Sequence, residues 1–88
     1  MKNDPRKDAG LQRLADARVL PGQRWRHYKT GDVYLVIAVG LFEADLKPMV
    51  HYRDADNEYG VVWSRYLDVF CGQAIKGETL VPRFTRVE

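Results

Sequence analysis

Eight residues of this chain combine aromatic or imidazole rings with cationic groups, the two ingredients that proteins use to hold a planar or an anionic group. They are His27, Tyr28, Lys29, Tyr52, Arg53, Trp63, Arg65 and Arg83. The set is densest in the stretch RWRHYK, residues 24–29. Such a combination suits a nucleobase with its phosphate or a peptide carboxylate.

The same residues also fit a purely structural role. An edge strand carries cations that discourage pairing with other sheets, which would account for RWRHYK. Tyr52, Trp63 and Phe84 would then be core residues. The arginines would pair with acids, for which Asp54, Asp56 and Asp68 are the candidates. The sequence leaves both interpretations open.

Other kinds of site are incomplete. His27, His51 and Cys71 fall short of a zinc ligand set unless carboxylates join them. The stretch 54–58 begins like a calcium loop, but Gly60 comes one place late and Arg65 stands where the glutamate ligand belongs. Cys71 suits a small packing residue better than a nucleophile. We therefore expect no catalytic residue, no metal and no cofactor.

Composition sets the class of protein. The chain has 88 residues, enough for one domain with a modest core, and no apolar run near the roughly 20 residues that span a bilayer. The first ten residues lack the apolar segment of a secretory signal, and the single cysteine cannot form an intrachain disulfide. These features favour a cytoplasmic protein without a membrane partner.

The distribution of charge bears on nucleic-acid binding. Residues 1–20 carry five cations against three anions, whereas the remaining 68 residues carry nine of each. A neutral body supplies a basic patch only if its charges are segregated. The charge distribution therefore weakens the case for a nucleic-acid partner without excluding one.

The pattern predicts a helix followed by strands. Asp4 and Pro5 suit a helix start, Pro21-Gly22 ends it, and Leu11, Leu14 and Ala15 give it a thin apolar stripe. Five strands are expected at about residues 24–29, 33–42, 49–53, 59–63 and 80–87, with one helical turn at 65–70. Gly40 is a candidate bulge. The predicted domains are a helix or tail at 1–21 and a small barrel at 22–88.

Alternation along the strands predicts which residues are buried. Trp25 and His27 share one face of the first strand, and the second strand is apolar on both faces, so its second face needs cover from the helix or from another copy of the chain. The predicted core is Trp25, Val33, Leu35, Ile37, Val39, Val50, Tyr52, Val61, Trp63, Leu67, Phe70 and Phe84.

An ordered set of short motifs links the chain to a known family. These are Gly22 with Trp25–Lys29, then Val50–Arg53, Trp63–Arg65 and Val81–Phe84, with Phe70 between the last two. In this order they resemble a small bacterial family of proteins of unknown function, number sixteen fifty-three, over about residues 22–85. The resemblance implies a compact, mostly β domain and no established activity.

Together these features predict a mainly β fold, a small SH3-like barrel of about five antiparallel strands with a short N-terminal helix and a helical turn before the last strand. The expected function is a non-catalytic module that binds an anionic or planar ligand, first of all a nucleotide or a nucleic-acid segment. The alternative is a protein-interaction or homodimerisation domain that uses the N-terminal helix. A small hydrolase or transferase with His27 as general base is a third, weaker alternative.

Overall fold

The computed structural model describes residues 4–88 as one helix, seven short strands and a single helical turn. In chain order the elements are α1 (Pro5–Ala17), β1 (Arg24–His27), β2 (Val33–Leu41), β3 (Pro48–Asp54), β4 (Trp63–Tyr66), α2 (Leu67–Phe70), β5 (Gln73–Lys76), β6 (Thr79–Pro82) and β7 (Phe84–Arg86). The first three residues of the predicted 1–21 segment lie outside the described part of the chain. No helix in residues 4–88 is long and apolar enough to cross a membrane.

Helix α1 begins where the sequence predicts. The Asp4 side chain accepts a hydrogen bond from the backbone N–H of Arg6 at 2.9 Å, and Pro5 occupies the first helical position. The helix ends earlier than expected, at Ala17, where Arg18 adopts a left-handed conformation with φ of 56°.

The face that α1 buries differs from the predicted stripe. Leu14 is buried in the core, whereas Leu11 and Ala15 are exposed. Gly10 lies under Leu41 and Leu46, so the helix approaches the sheet closely at this point. An ion pair between Arg13 and Asp68 links α1 to α2. The helix therefore packs on the body of its own chain.

The fold is mainly β and antiparallel. One sheet has five strands in the order β4-β3-β2-β1-β7, and a second sheet consists of β5 and β6. The five-stranded sheet is open, because its two outer strands are not hydrogen-bonded to each other. The mainly β prediction is confirmed, whereas closure into an SH3-like barrel is not.

Two predicted strands are placed wrongly. Residues 59–62 form a loop, and the strand expected at 59–63 begins only at Trp63. The expected last strand is divided at Arg83, whose backbone N–H donates to the carbonyl of Gly72. Its first half pairs with β5, a strand that the sequence analysis missed, across a hairpin at Gly77 with φ of 65°.

A β-bulge in β2 decides which side chains are buried. The register with β3 shifts between Val36 and Ala38, so Ile37 is the extra residue, and Gly40 is not the bulge. Val36 is buried, Ile37 is 38% exposed, and Val39 packs against the core. Val33, Leu35, Ile37 and Val39, all predicted as core residues, therefore do not form one buried face.

The core lies between the five-stranded sheet and the two helices. Its buried members are Leu14, Val19, Val36, Val50, Tyr52, Leu67, Phe70 and Phe84, with Trp25 packed against them. Phe70 and Phe84 stack at 4.3 Å between ring centroids, and Trp25 meets Phe70 edge-on at 5.3 Å. Val61 and Trp63, which were predicted as core residues, are exposed.

Candidate ligand-binding groove

An open groove of about 230 Å³ lies on the core-bearing face of the five-stranded sheet, with lining residues from each of its strands. We call it the Trp63 groove. It is lined by His27, Thr30, Tyr34, Tyr52, Trp63, Arg65 and Phe84.

Strand register explains why Trp63 and Arg65 reach the groove. Trp63 lies opposite Tyr52, and Arg65 lies opposite Val50. Directly opposed residues of antiparallel strands share a face, so both side chains of β4 project on the face that carries the core. Because β4 is an outer strand, no further strand covers them on that side. Trp63 and Arg65 of β4 thus line the same groove as Phe84 of β7, the other outer strand of the sheet.

Three core aromatics give the groove a rigid aromatic wall. Tyr34 meets Tyr52 edge-on at 5.4 Å, and Tyr52 meets Phe84 edge-on at 5.4 Å. Tyr52 and Phe84 are only 4% exposed, so their positions are set by core packing. Trp63 is 52% exposed, so part of its indole is open to a ligand.

Arg65 brings a positive charge to the groove. Its Nε donates a hydrogen bond to the phenolic oxygen of Tyr52 at 2.9 Å. Within residues 4–88 the side-chain ion pairs join Arg6 to Asp4, Arg13 to Asp68 and Arg24 to Glu88, so Arg65 has no carboxylate partner there. With Nε engaged, the N–H groups of the two Nη atoms remain as donors. Arg65 can therefore hold an anionic group of a ligand.

His27 is held as a neutral hydrogen-bond donor. Its ring packs edge-on against Phe84 at 5.0 Å, and its Nδ1 accepts a hydrogen bond from the backbone N–H of Lys29 at 3.2 Å. Burial lowers the pKa of His27, and the nearby charges of Arg65 and Arg83 lower it further. Because Nδ1 is an acceptor, the proton of the neutral ring lies on Nε2.

The remaining polar groups of the groove are hydroxyls. Burial raises the pKa of Tyr34, with a contribution from Asp32 and Asp54, so this phenol stays protonated. Thr30 belongs to the connection between β1 and β2, where its Oγ1 accepts from the backbone N–H of Asp32 at 3.2 Å. Among the described residues, no carboxylate lines the groove. The groove is therefore suited to neutral or anionic ligands.

The structure brings together part of the predicted set. His27, Tyr52, Trp63 and Arg65 line the groove. Tyr28 lies beside it, with its ring 4.9 Å from that of His27. Lys29 follows on the exposed turn and gives its backbone N–H to His27. These residues come from three separate segments of the chain, at 27–29, at 52 and at 63–65.

Arg83 and Arg53 lie outside the groove. Arg83 is close enough to lower the pKa of His27, and its Nε is buried without a hydrogen-bond partner in the described residues. Arg53 follows the buried Tyr52 along β3, so its side chain leaves from the opposite face of the sheet. There it donates to the backbone carbonyl of Asp54 at 2.9 Å.

Thr30 and Tyr34 were not predicted as site residues, and Phe84 was predicted only as a core residue. A signal for Tyr34 was available, because it lies opposite Trp25 across the β1–β2 pair. Cross-strand neighbours share a face, and Trp25 had been assigned inward. Pairing the residues of β1 and β2 outward from the connection between these two strands would have placed Tyr34 beside the predicted site.

The other side chains with possible chemistry lie elsewhere. His51 and Ser64 form a hydrogen bond of 2.7 Å on the opposite face of the sheet, and β2 separates His51 from β1. His27 and His51 therefore do not face each other. Residues 4–88 contain no cluster of three or more histidine, cysteine, aspartate or glutamate side chains that could hold a metal.

The fold and the groove define a small, mainly β domain with an aromatic groove on the core-bearing face of its larger sheet. The family model described as "Protein of unknown function (DUF1653)" matches residues 23–86, so the chain belongs to this family. The resemblance predicted over about residues 22–85 is thereby confirmed.

A solved structure supports the same assignment. The crystal structure of a protein of this family from Bordetella bronchiseptica is 28% identical in sequence and superposes with a TM-score of 0.64. The match covers 80% of this chain and 88% of that one. No curated protein matches the chain.

Proposed function

We propose that this protein is a non-catalytic binding module that holds a ligand with a planar ring and an anionic group in the Trp63 groove. The observation that carries the proposal is the position of Arg65. Its guanidinium is oriented by Tyr52, lacks a carboxylate partner in residues 4–88, and lies in the same groove as the exposed indole of Trp63.

The aromatic residues supply the affinity for a ring. Stacking of a base on an aromatic side chain contributes about 1–3 kcal/mol, and it tolerates different bases because each has a π-face. Trp63 offers an exposed face, while Tyr34, Tyr52 and Phe84 are fixed by one another. Little side-chain freedom is lost at these three positions when a ring binds.

The anionic group of the ligand is assigned to Arg65. Hydrogen bonds to charged groups contribute about 1.5–3 kcal/mol, and a guanidinium fork matches phosphate or carboxylate. Lys29 and Arg83 lie near His27 and add positive potential at this end of the groove. A nucleotide or a nucleic-acid segment carries both a ring and a phosphate, so it is our first choice of ligand.

A binding role fits His27 better than a catalytic one. Its Nδ1 already accepts the backbone N–H of Lys29, which leaves Nε2–H as a donor to a ligand. A general base would need a free ring nitrogen. We place the module in the reducing cytoplasm, because Cys71 has no second cysteine with which to pair.

The test compares two arginines on neighbouring strands. We expect Arg65→Gln to weaken binding of a nucleoside monophosphate by about ten-fold or more, since it removes a charged hydrogen-bond donor. Arg53→Gln changes the same residue type on the opposite face and should alter affinity less than about two-fold. An NMR titration at low salt measures both. Absence of binding to the unmodified protein, or equal losses in the two variants, would contradict the proposal.

The alternative function, homodimerisation through the N-terminal helix, rests on Leu11, which is 48% exposed on α1. Removing residues 1–20 would also remove Leu14 and Val19 from the core, so truncation is not a clean test. Leu11→Glu leaves the core intact. A mass of two chains by light scattering that falls to one in this variant would support the dimer.

A further inference from the structure

We infer that the ligand of the Trp63 groove is a small molecule with one planar ring and one phosphate-type anion, of the size of a nucleoside monophosphate, and not a nucleic-acid strand. This inference rests on the proposed function and selects between the two ligand classes that it includes.

The groove offers one stacking position. Its open volume is about 230 Å³, and the half-exposed aromatic residue in its lining is Trp63. Proteins that bind single strands instead provide several aromatic platforms along a channel. Here the other tryptophan, Trp25, is engaged on Phe70 and donates its Nε1–H to Gln23. Tyr66 is likewise engaged, through its hydroxyl, by Asp45.

Tyr28, beside the groove, is half-buried with its ring against His27, whereas Tyr59 is the most exposed aromatic residue within residues 4–88. It is 92% exposed in the loop before β4, four positions from Trp63, and it does not line the groove. Its participation therefore distinguishes a strand from a small ligand.

The described cations nearest the groove, Arg65, Arg83 and Lys29, cluster around His27 and do not form a track for a phosphate backbone. Within residues 4–88, Arg65 is the guanidinium that lines the groove. Arg26 follows Trp25 along β1 and lies opposite Thr85, so its side chain points to the face away from the core. Arg53 projects from that same face. A strand needs several phosphates neutralised on one surface. The arginines are instead divided between two faces.

Carboxylates border the groove on the side of Tyr34. Asp32 and Asp54 are close enough to Tyr34 to raise the pKa of its phenol. The loop after β3 continues with Asp56 and Glu58, both exposed. A phosphate backbone that left the groove in this direction would meet negative charge, whereas a ligand that ends within the groove would not.

The experiment compares ligands of increasing length. Thymidine monophosphate and oligothymidylates of about four and about eight nucleotides are titrated by NMR into the full chain at several salt concentrations. We expect the affinities to agree within about three-fold, and the slope of log K against log salt to stay near one counterion or below in every case. Tyr59→Ala should bind all three ligands as the unmodified protein does.

The outcomes separate the two proposals. An affinity that rises about ten-fold or more with length, with a slope of three counterions or more and a loss in Tyr59→Ala, would overturn the inference and leave the proposed function standing. Failure of all three ligands to bind at low salt would overturn both.

Discussion

Arg65 and Tyr52 are joined by a hydrogen bond of 2.9 Å that connects the outer strand of the sheet to the core. Tyr52 lies opposite Trp63 and not opposite Arg65, so the bond runs diagonally from β4 to β3. The phenol oxygen accepts from Nε, while its ring packs against Phe70 and Phe84. Core packing thereby fixes the orientation of the cation in the groove.

Tyr52→Phe should separate orientation from packing. The ring and its contacts remain, but Arg65 loses its acceptor, so the free energy of unfolding should fall by about 1 kcal/mol. Affinity for a nucleoside monophosphate should fall about three-fold or more, because Arg65 must then be ordered by the ligand itself. Urea unfolding and NMR titration measure the two effects.

Tyr66→Phe is the matched control for this prediction. It removes a tyrosine hydroxyl that bonds to Asp45 outside the groove, at 2.7 Å. Affinity should be unchanged in this variant. If Tyr52→Phe also binds as well as the unmodified protein, the hydrogen bond has no role in orienting Arg65.

The two tryptophans should respond differently to substitution by alanine. Trp25 packs on Phe70 and donates to Gln23, so Trp25→Ala should reduce the free energy of unfolding by about 3–5 kcal/mol. Trp63 is half exposed, so Trp63→Ala should cost about 1 kcal/mol while abolishing most ligand binding. Thermal unfolding and titration of each variant test this. A large loss of stability in Trp63→Ala would show that the indole serves packing.

The elements that sequence could predict are those with strong local signals. Asp4-Pro5 begins α1, and the strands around residues 24–27, 33–41 and 48–54 were found within a few positions. The bulge at Ile37 could not be inferred, because residues 33–39 are all apolar and an extra residue leaves no trace in such a pattern.

The late start of β4 has a different cause. Apolar residues at 59–63 indicate a strand, but polar side chains upstream compete for the backbone. Asn57 Oδ1 accepts from the N–H of Tyr59 at 3.2 Å, and Asp54 Oδ1 accepts from the N–H of Asp56 at 2.9 Å. These turns postpone pairing until Trp63. Trp63 consequently lies at the start of an outer strand, where it is exposed near Arg65. The strand pattern alone had placed Trp63 in the core.

Gly10→Ala tests the docking of α1. On an exposed helix this change adds about 1 kcal/mol of stability. Here a Cβ would stand 2.8 Å from the Leu41 side chain and 2.8 Å from the backbone carbonyl oxygen of Leu46. The crowding should cost more than the gain, so urea unfolding should show a net loss of about 1–2 kcal/mol.

Ala15→Gly gives the matched measure of helix propensity, because Ala15 is exposed on the same helix. It should lower stability by about 1 kcal/mol. If Gly10→Ala stabilises the protein by a similar amount, α1 does not pack as closely on the sheet as the structure shows.

The pH dependence of stability should report on His27. Its pKa in the folded protein is lowered by burial and by Arg65 and Arg83, with Lys29 adding to them and Asp32 opposing them. The unfolded chain, with a histidine pKa of about 6.5, therefore takes up a proton at higher pH than the folded one. Stability should accordingly fall as pH drops below about 6.5, and this contribution should level off below the folded pKa.

His27→Gln should remove that contribution while keeping a neutral side chain, whereas His51→Gln, changed on the opposite face, should retain it. Urea unfolding at pH values between about 5 and 7.5 measures the contribution of His27 to the free energy of unfolding. The lowered pKa of Asp4, about 2, affects stability only in more acidic solution, so this carboxylate does not contribute in that range. An unchanged slope in His27→Gln would mean that the imidazole titrates alike in the folded and unfolded chain. The burial of His27 and the charges of Arg65 and Arg83 would then not act on the imidazole as the structure indicates.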